Sequence, residues 1–375
     1  MTTIYNCIIH ENHDINAFYV VDLAKTVDLY FKWNTLLPNV KPYYAIKCNS
    51  NPRVLKVLEN LGVNFDCASQ KEIQTILDIT HDSNRIIFAN PCKIPSHIKY
   101  AKDNQVSLMT FDCAEELCKI NTYYPEARLV LRLVVDDSHS IIKFSKKFGC
   151  SLDYVESLLN LAKLMNLNVV GFSFHVGSKC LSSDTYYNAL CDVRKACDIA
   201  INLGNNIEIV DIGGGFSSLH DFEEATFAIN RGIQLFSDLP DIHFIAEPGR
   251  YFVETTHTLV LQIIGKKNLI ENDSPFMIYT LNESVYNSFN CTIFDCCVPD
   301  IRPLIVREGD LYKSRIYGYT CDSMDLLLDN SVMPNMEIGD WVYVENFGAY
   351  TYSASSQFNG FQSTQDFFYV ENDKN

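Results

Sequence analysis

Between residues 43 and about 255, short apolar runs alternate eight times with amphipathic stretches, and this alternation constrains the fold more than composition does. The runs are "YYAIK" (43–47), "NFDCA" (64–68), "RIIFAN" (85–90), "SLMTFD" (107–112), "RLVLRLVV" (128–135), "VVGFSFHV" (169–176), "IEIVDIGG" (207–214) and "HFIAEP" (243–248). Between them, "PRVLKVLENLG", "KEIQTILDIT", "SHIKYAKDN", "DYVESLLNLAKLMN" and "TYYNALCDVRKACDIAINLG" place apolar residues every three or four positions, as amphipathic helices do. Strands that are apolar almost throughout are buried on both faces, which is the habit of a parallel sheet. Eight strand–helix units predict a (β/α)8 barrel. A doubly wound sheet is the alternative, since eight strands do not by themselves prove closure.

After about residue 255 the texture changes to β-rich segments separated by turn residues: "THTLVLQIIGKK", "SPFMIYTLN", "NCTIFD", "RPLIVR", "YKSRIYGYT", "GDWVYVENF" and "DFFYVEN". Only "SMDLLLDN" (323–330) reads as helical there. The expected division is a barrel over 25–255 and an antiparallel β domain over 256–375. The strand-like "NAFYVVD" (16–22) brings residues 1–24 into that β domain.

The formal net charge of −16 argues against nucleic acid or an anionic membrane as the main partner and is compatible with a cationic ligand. No apolar run approaches the roughly 20 residues of a membrane span. The N-terminus shows no basic region followed by an apolar core, so no secretory signal is expected and the cytoplasm is the expected location. Fourteen cysteines are scattered without a CxxC pair, and most are expected to be reduced and buried. The nine histidines show neither HExxH nor ligand spacing, so no metal is expected.

In a (β/α)8 barrel the chemistry lies at the C-terminal strand ends, often with a phosphate site after strands seven and eight. Here those two loops read "DIGGGFSS" and "EPGRYF". Consecutive glycines let backbone N–H groups approach an anion, and Arg250 adds a forked cation suited to phosphate oxygens. The other strand ends carry Lys47, Asp66, Arg132, His175 and Glu247. Singly each has a plain explanation: Lys47 as a charge where a strand meets water, His175 as a hydrogen-bonded core histidine, Glu247 as a partner for Arg250. Together they suit pyridoxal phosphate: Lys47 bonds the cofactor through its amine, the glycines and Arg250 hold the phosphate, His175 lies on the ring, and Glu247 meets the pyridine nitrogen. A carboxylate there keeps that nitrogen protonated and favours decarboxylation over racemisation.

These motifs, with "YYAIKCN", "NFDCASQKEI", "FANPCK", "VVGFSFHVGS", "VDIGGGF", "AEPGRYF", "YTCDSMD", "ENFGAYT" and "FNGF", resemble the eukaryotic-type ornithine decarboxylases from about residue 16 to 370. This family belongs to the fold-type III pyridoxal-phosphate enzymes, which also include diaminopimelate and some arginine decarboxylases. The resemblance implies Lys47 as the cofactor lysine with Asp66 and Glu72 near it. It implies Arg132 and His175 in the cofactor pocket, Glu247 on the ring nitrogen, and Ser178, Gly214, Gly215, Gly249, Arg250 and Tyr350 around the phosphate. Cys321 would return a proton to the carbon that lost CO2. Asp322, Asp295, Tyr286 and Phe358 would bind the substrate. Cys321 and Asp322 would reach the barrel of a partner subunit in a head-to-tail homodimer, bridged by Lys147 and Asp325; as isolated charges, that pair would read as solvated surface.

Asp295 stands where ornithine-specific members have aspartate, so ornithine is expected ahead of lysine and arginine, with putrescine as product. Three positions depart from the family pattern: Lys179 and Ser323 replace glycines, and Phe294 replaces a tyrosine that many members carry. Cys296 and Cys297 have no assigned role. The chain ends soon after "DFFYVEN", without the long tail that marks some animal members for degradation. A catalytically dead regulator of the same family is opposed by the presence of Lys47, Asp66, His175, Glu247, Arg250 and Cys321. A barrel racemase is opposed by Glu247 and Cys321.

Overall fold

Each of the eight apolar runs becomes a strand that hydrogen-bonds to two others of the set. In chain order they are β1 (Val40–Ala45), β2 (Asn64–Cys67), β3 (Ile86–Phe88), β4 (Leu108–Phe111), β5 (Arg128–Arg132), β6 (Asn168–Ser173), β7 (Ile209–Asp211) and β8 (His243–Ala246). All neighbours are parallel, and pairing of β8 with β1 closes the barrel, which excludes the doubly wound alternative. This computed structural model describes residues 2–370, apart from 13, 272 and 306–308. It divides into two units: Val27–Phe252, which holds the barrel, and Met1–Thr26 with Val253–Asn375.

One inward side chain from each of seven strands makes the barrel floor: Tyr43, Ile87, Leu108, Val130, Val170, Ile209 and Ile245. Strand side chains alternate, so the residue two positions on enters the same interior one layer higher. On five of the seven strands the sequence places Ala45, Thr110, Arg132, Asp211 and Glu247 there. Four of these five are polar or charged, so the layer is a polar one.

Outside the barrel, Trp33 is completely buried and donates from Nε1 to the Val40 carbonyl at 2.9 Å. Its ring packs against Phe216, Phe222, Tyr251 and Phe252 at centroid distances of 5.0 to 6.0 Å.

The second unit is an eight-stranded sheet ordered 301–303, 341–344, 257–271, 274–281, 311–317 and 326–334, with Phe18–Asp22 against 257–271 and Phe367–Val370 beside it. It is antiparallel except for two pairings: 274–281 with 311–317, and 18–22 with 367–370. Two expectations need correction. "SMDLLLDN" is no helix: Leu326–Pro334 is a strand paired with Leu311–Tyr317, and its leucine run serves a strand with Leu327 buried. "NCTIFD" is no strand but a one-turn helix, Cys291–Phe294. Its entry is held by Asn290, whose Nδ2 donates to the Asn287 carbonyl at 2.6 Å. The last residues of "RPLIVR" and "DFFYVEN" lie outside the described residues.

All fourteen cysteines are free thiols, but only Cys48, Cys67, Cys150, Cys197 and Cys291 are buried, so the expectation of mostly buried cysteines fails. Among the described residues no helix is long and apolar enough to cross a membrane, and no group of His, Cys, Asp and Glu is placed to hold a metal ion.

Trp33→Ala is expected to lower the unfolding free energy by about 3–5 kcal/mol, as for other large buried aromatics. Urea unfolding followed by circular dichroism measures it. A loss below about 1 kcal/mol would mean the cluster collapses around the gap.

Candidate active site

Lys47 lies beyond the strand end. β1 stops at Ala45, and Lys47 occupies the one-turn 3-10 helix Ile46–Cys48, corrected from the expected strand over 43–47. The turn is fixed by the Asn49 N–H to the Ile46 carbonyl at 3.1 Å and by the Tyr44 hydroxyl to the Asn49 carbonyl at 2.8 Å. Lys47 Nζ meets Asp66 Oδ2 at 2.5 Å. Asp66 is fully buried, whereas the Lys47 side chain is 44% exposed. Asp66 pairs in register with Ala45, which places the carboxylate on the strand next to the lysine turn.

Glu72 begins the following helix in a variant capping box. Ser69 Oγ accepts from the Glu72 N–H at 3.3 Å, and Glu72 Oε2 accepts from the Ala68 N–H at 2.6 Å. Burial pushes this carboxyl above its ordinary range, the Asp66 charge raises it further and the Lys47 charge opposes.

The polar layer converges on Arg132, the last residue of β5. Burial lowers its guanidinium, and the carboxyls of Glu247, Asp112, Asp211 and Asp66 hold it up. Its guanidinium also lies 4.9 Å from the Phe148 ring centroid. Asp211 Oδ1 accepts from the Gly213 N–H at 2.9 Å. Burial pushes Glu247 well above the carboxylate range, with the Asp211 charge as the next cause. Burial likewise raises Asp211 to about 7. The sequence reading missed Asp211, although an aspartate inside "IEIVDIGG" is the same anomaly as a lysine at the end of "YYAIK".

His175 follows β6. Its Nδ1 accepts from the Gly177 N–H at 3.0 Å, which leaves the proton of the neutral ring on Nε2, and Phe144 packs edge-on at 4.7 Å. Burial first, then the Arg132 and Lys47 charges, hold its imidazole well below the ordinary histidine range.

The glycine loops are needed as glycine. Gly213 and Gly215 have φ of +66° and +101°. A Cβ on Gly214 would stand 2.8 Å from His175 Nε2, and one on Gly215 would stand 2.6 Å from the Gly177 carbonyl oxygen. Gly249 packs on Cys48, where a Cβ would meet Cys48 Cβ at 2.8 Å. Arg250 opens the short helix Arg250–Val253. The Glu247 N–H donates to the Gly213 carbonyl at 2.7 Å and so ties the two loops together. Ser178 begins the strand Ser178–Cys180, which pairs antiparallel with Ser140–Ile142. Lys179 sits at φ +55°, in the left-handed region that favours the glycine it replaces, at a cost of roughly 1 kcal/mol.

In the second unit the structure gathers Tyr286, Phe358, Cys321 and Asp322. Tyr286 stacks on Phe358 at 4.1 Å, and its hydroxyl donates to Asp322 Oδ2. The Met324 N–H, then that hydroxyl, lower the Asp322 carboxyl. Cys321 is exposed, and its N–H donates to Asn359 Oδ1 at 3.0 Å. Ser323 has no positive φ, so replacing a glycine there costs no backbone strain. Asp295 closes the one-turn helix with its N–H on the Cys291 carbonyl at 3.0 Å and is 5% exposed. Phe294 beside it is exposed. Tyr350 sits at φ +56°.

Asp325 is no solvated surface charge. It is fully buried and accepts from Ser284 Oγ, the Val285 N–H, the Thr320 N–H and Thr320 Oγ1 at 2.6 to 3.0 Å. Lys147 is exposed, 5.0 Å from the Phe148 ring centroid.

Comparison with known proteins agrees with this geometry. Residues 23–254 match the family described as "Pyridoxal-dependent decarboxylase, pyridoxal binding domain". A protein of Dictyostelium discoideum named "Probable ornithine decarboxylase" is 44% identical over 372 residues, covering 95% of this chain and 80% of that protein. "Antizyme inhibitor 2" of Xenopus laevis is 42% identical, covering 95% and 81%. The crystal structure of the Paramecium bursaria Chlorella virus arginine decarboxylase superposes with a TM-score of 0.94 at 37% identity, over 99% of this chain and 100% of that one.

A His175 held neutral by the fold is charged in the unfolded chain below pH about 6.5. Its contribution to stability is therefore complete above that pH and is lost as pH falls toward the folded value. His175→Gln is expected to remove up to about 1.4 kcal/mol per pH unit from the acid slope of unfolding between roughly pH 6.5 and 5. Urea unfolding at both pH values tests this; an unchanged slope would mean the ring is charged in the fold.

Proposed function

This chain belongs to the pyridoxal-dependent decarboxylases, and we propose that it removes the α-carboxyl group of L-ornithine as CO2 to leave putrescine. The observation that carries this reading is Lys47 Nζ beside the buried Asp66 at the mouth of a closed barrel. The relatives named ornithine decarboxylase support the substrate, as does Asp295 at the position expected to face a cationic tail.

The residues present fit pyridoxal phosphate. Polar atoms are buried without hydrogen-bond partners in the layer above the barrel floor: Asp66 Oδ1, Thr110 Oγ1, Ser173 Oγ and Glu247 Oε1. Lys47 would bond the cofactor, with Asp66 and Glu72 setting the charge around the amine. Ser178, Gly214, Gly215, Gly249 and Arg250, with Tyr350, would hold the phosphate. When bound, the cofactor supplies a ring that accepts the electron pair left as CO2 departs.

The chain's own residues do the rest. Glu247 holds a proton at the ring nitrogen, which keeps that ring electron-poor. His175 stays neutral and fixed through Nδ1, so it covers the ring without adding charge. Arg132 balances the carboxyls around it. Cys321 Sγ holds the proton that replaces the carboxyl group. Asp295 and Asp322 meet the substrate's distal ammonium, with Tyr286 and Phe358 along its methylenes.

We assign Cys321 and Asp322 to the barrel of a second copy in a head-to-tail homodimer. Asp325 supports this reading, because its four donors are all neutral and a buried carboxylate surrounded by neutral groups is stabilised by an incoming cation. Lys147 of the second copy would supply that cation. Fourteen free thiols suit a reducing compartment such as the cytoplasm.

A second reading keeps the chemistry and takes arginine as substrate, favoured by the structural match to the viral arginine decarboxylase. Release of labelled CO2 from carboxyl-labelled ornithine, lysine and arginine decides between them. Fastest release from ornithine is expected, and faster release from arginine would transfer the assignment. Lys47→Ala should abolish both turnover and the cofactor's protein-bound absorbance; activity like the parent's would remove Lys47 from its role. Cys321→Ala should decarboxylate slowly and give some aldehyde, whereas clean diamine at the parent rate would remove Cys321. No release and no bound cofactor in the parent would favour a regulator, in keeping with the relative named antizyme inhibitor.

A further inference from the structure

Between Arg132, the end of β5, and the helix Leu152–Leu164 the chain makes a long loop, and loops of that length inside a compact domain are mostly functional. Its neck is closed by the backbone: the Val134 N–H donates to the Cys150 carbonyl at 2.8 Å, and the Cys150 N–H to the Arg132 carbonyl at 3.0 Å. Asp112 Oδ2 adds a third tie, accepting from the Gly149 N–H at 2.9 Å. Inside the loop, Asp137 is 4% exposed. Its Oδ2 accepts from the Phe144 N–H at 2.6 Å and the Ser145 N–H at 2.8 Å, and its Oδ1 accepts from Ser145 Oγ at 2.6 Å. These donors are all neutral and lie seven and eight residues further on, so the carboxylate closes a ring of chain around itself. Hydrogen bonds to an ionised acceptor are about twice as strong as neutral ones, and this single side chain decides the path of the segment.

The segment so folded meets His175. The Phe144 ring lies 4.7 Å from the imidazole, centroid to centroid, with the two planes 72° apart, an arrangement that aromatic pairs favour. The Ser140 hydroxyl donates to the Val176 carbonyl, and residues 140–142 pair antiparallel with 178–180, so the backbone after His175 is held by the same loop. On the imidazole itself, the Gly177 N–H fixes Nδ1. One hydrogen bond in the ring plane leaves the ring free to tilt about it, and Phe144 opposes that tilt.

We propose that Asp137 is a positioning residue for His175, acting through Phe144: it folds the loop so that the Phe144 ring sets the plane of the imidazole on which the cofactor ring is laid. This rests on the reading of His175 given above. Without the carboxylate the N–H groups of residues 144 and 145 lose their acceptor, the Phe144 ring withdraws, and His175 keeps its hydrogen bond but not its plane.

The test titrates the apoprotein with pyridoxal phosphate and, in parallel, measures the rate of tryptic cleavage after the exposed Lys143 and Lys146 of the cofactor-free protein. Phe144→Ala keeps the Asp137 hydrogen bonds, so cleavage should stay within about twofold of the parent while cofactor affinity falls roughly fivefold, the worth of one aromatic contact. Asp137→Ala should lower affinity by a similar factor and speed cleavage roughly tenfold or more, as the loop opens. Asp137→Asn still accepts both N–H groups at its amide oxygen and can donate to Ser145 Oγ, so it should bind the cofactor within about twofold of the parent. The double variant, Asp137→Ala with Phe144→Ala, should lie no more than about twofold below the weaker single variant, because both changes remove the same contact. Parent-like affinity in Phe144→Ala, or a double variant in which the two losses multiply, would show that Asp137 does not act through Phe144 and would overturn the inference. A loss in Asp137→Asn as large as in Asp137→Ala would overturn it as well, by making the charge rather than the fold of the loop the active element. The Phe144→Ala and Asp137→Asn arms stand even where Asp137→Ala does not fold. Parent-like affinity in His175→Ala would overturn instead the assignment of His175 to the cofactor ring.

Discussion

The apolar floor of the barrel is the constraint on which the site depends. Seven buried side chains pack together across the interior, so the layer two residues higher rests on apolar protein rather than on water. Groups placed there lose water, and each moves toward its neutral form: Asp211 and Glu247 upward, His175 and Arg132 downward, with burial as the leading cause every time. The cationic side chains there lie against carboxyl groups, Lys47 on Asp66 and Arg132 among several. A site of this kind can hold a cationic ring nitrogen beside a carboxylate without interference from bulk water, because the same desolvation strengthens every interaction inside it.

Much of this was legible because barrel strands carry a strong signal. All eight apolar runs became strands of the barrel, since residues buried on both faces leave no polar alternation to confuse the reading. The errors fall where that signal weakens. "LLL" at 326–328 reads as a helix face in isolation, yet pairing with Leu311–Tyr317 decides in favour of a strand, and pairing is nonlocal. "NCTIFD" has the β-branched and aromatic composition of a strand, but it forms one helical turn whose entry Asn290 holds through its side-chain amide. Lys47 itself was read one element too early: the strand ends two residues before it, and the 3-10 turn presents its amine to Asp66.

Charges were harder to place than apolar residues, for a physical reason. An aspartate in a sequence reads as surface unless its donors are known, and donors come from distant segments. Asp325 gathers its four from residues 284, 285 and 320, and Gly318 has no room for a side chain because a Cβ would stand 2.3 Å from Asp325 Oδ1. The glycine and the buried carboxylate thus require one another across the turn that carries Cys321 and Asp322. That turn is held from its C-terminal side by a carboxyl group that composition alone would assign to solvent.

Substrate choice is a finer matter than the fold. The viral arginine decarboxylase superposes with a TM-score of 0.94, so architecture is shared between chains whose names specify different substrates. Basic amino acids of this series differ in the length and head group of the tail, and one methylene in a pocket discriminates by only about 1–3 kcal/mol. A carboxylate that selects among them must therefore be fixed in position as well as present. The backbone around Asp295 is fixed in this way: its N–H is bound to the Cys291 carbonyl, and the Cys297 N–H returns to the same carbonyl at 3.0 Å. One acceptor thus pins both sides of the residue. The positive φ of Cys296 completes the tight reversal, so the two cysteines without an assigned role belong to the turn that holds the Asp295 backbone.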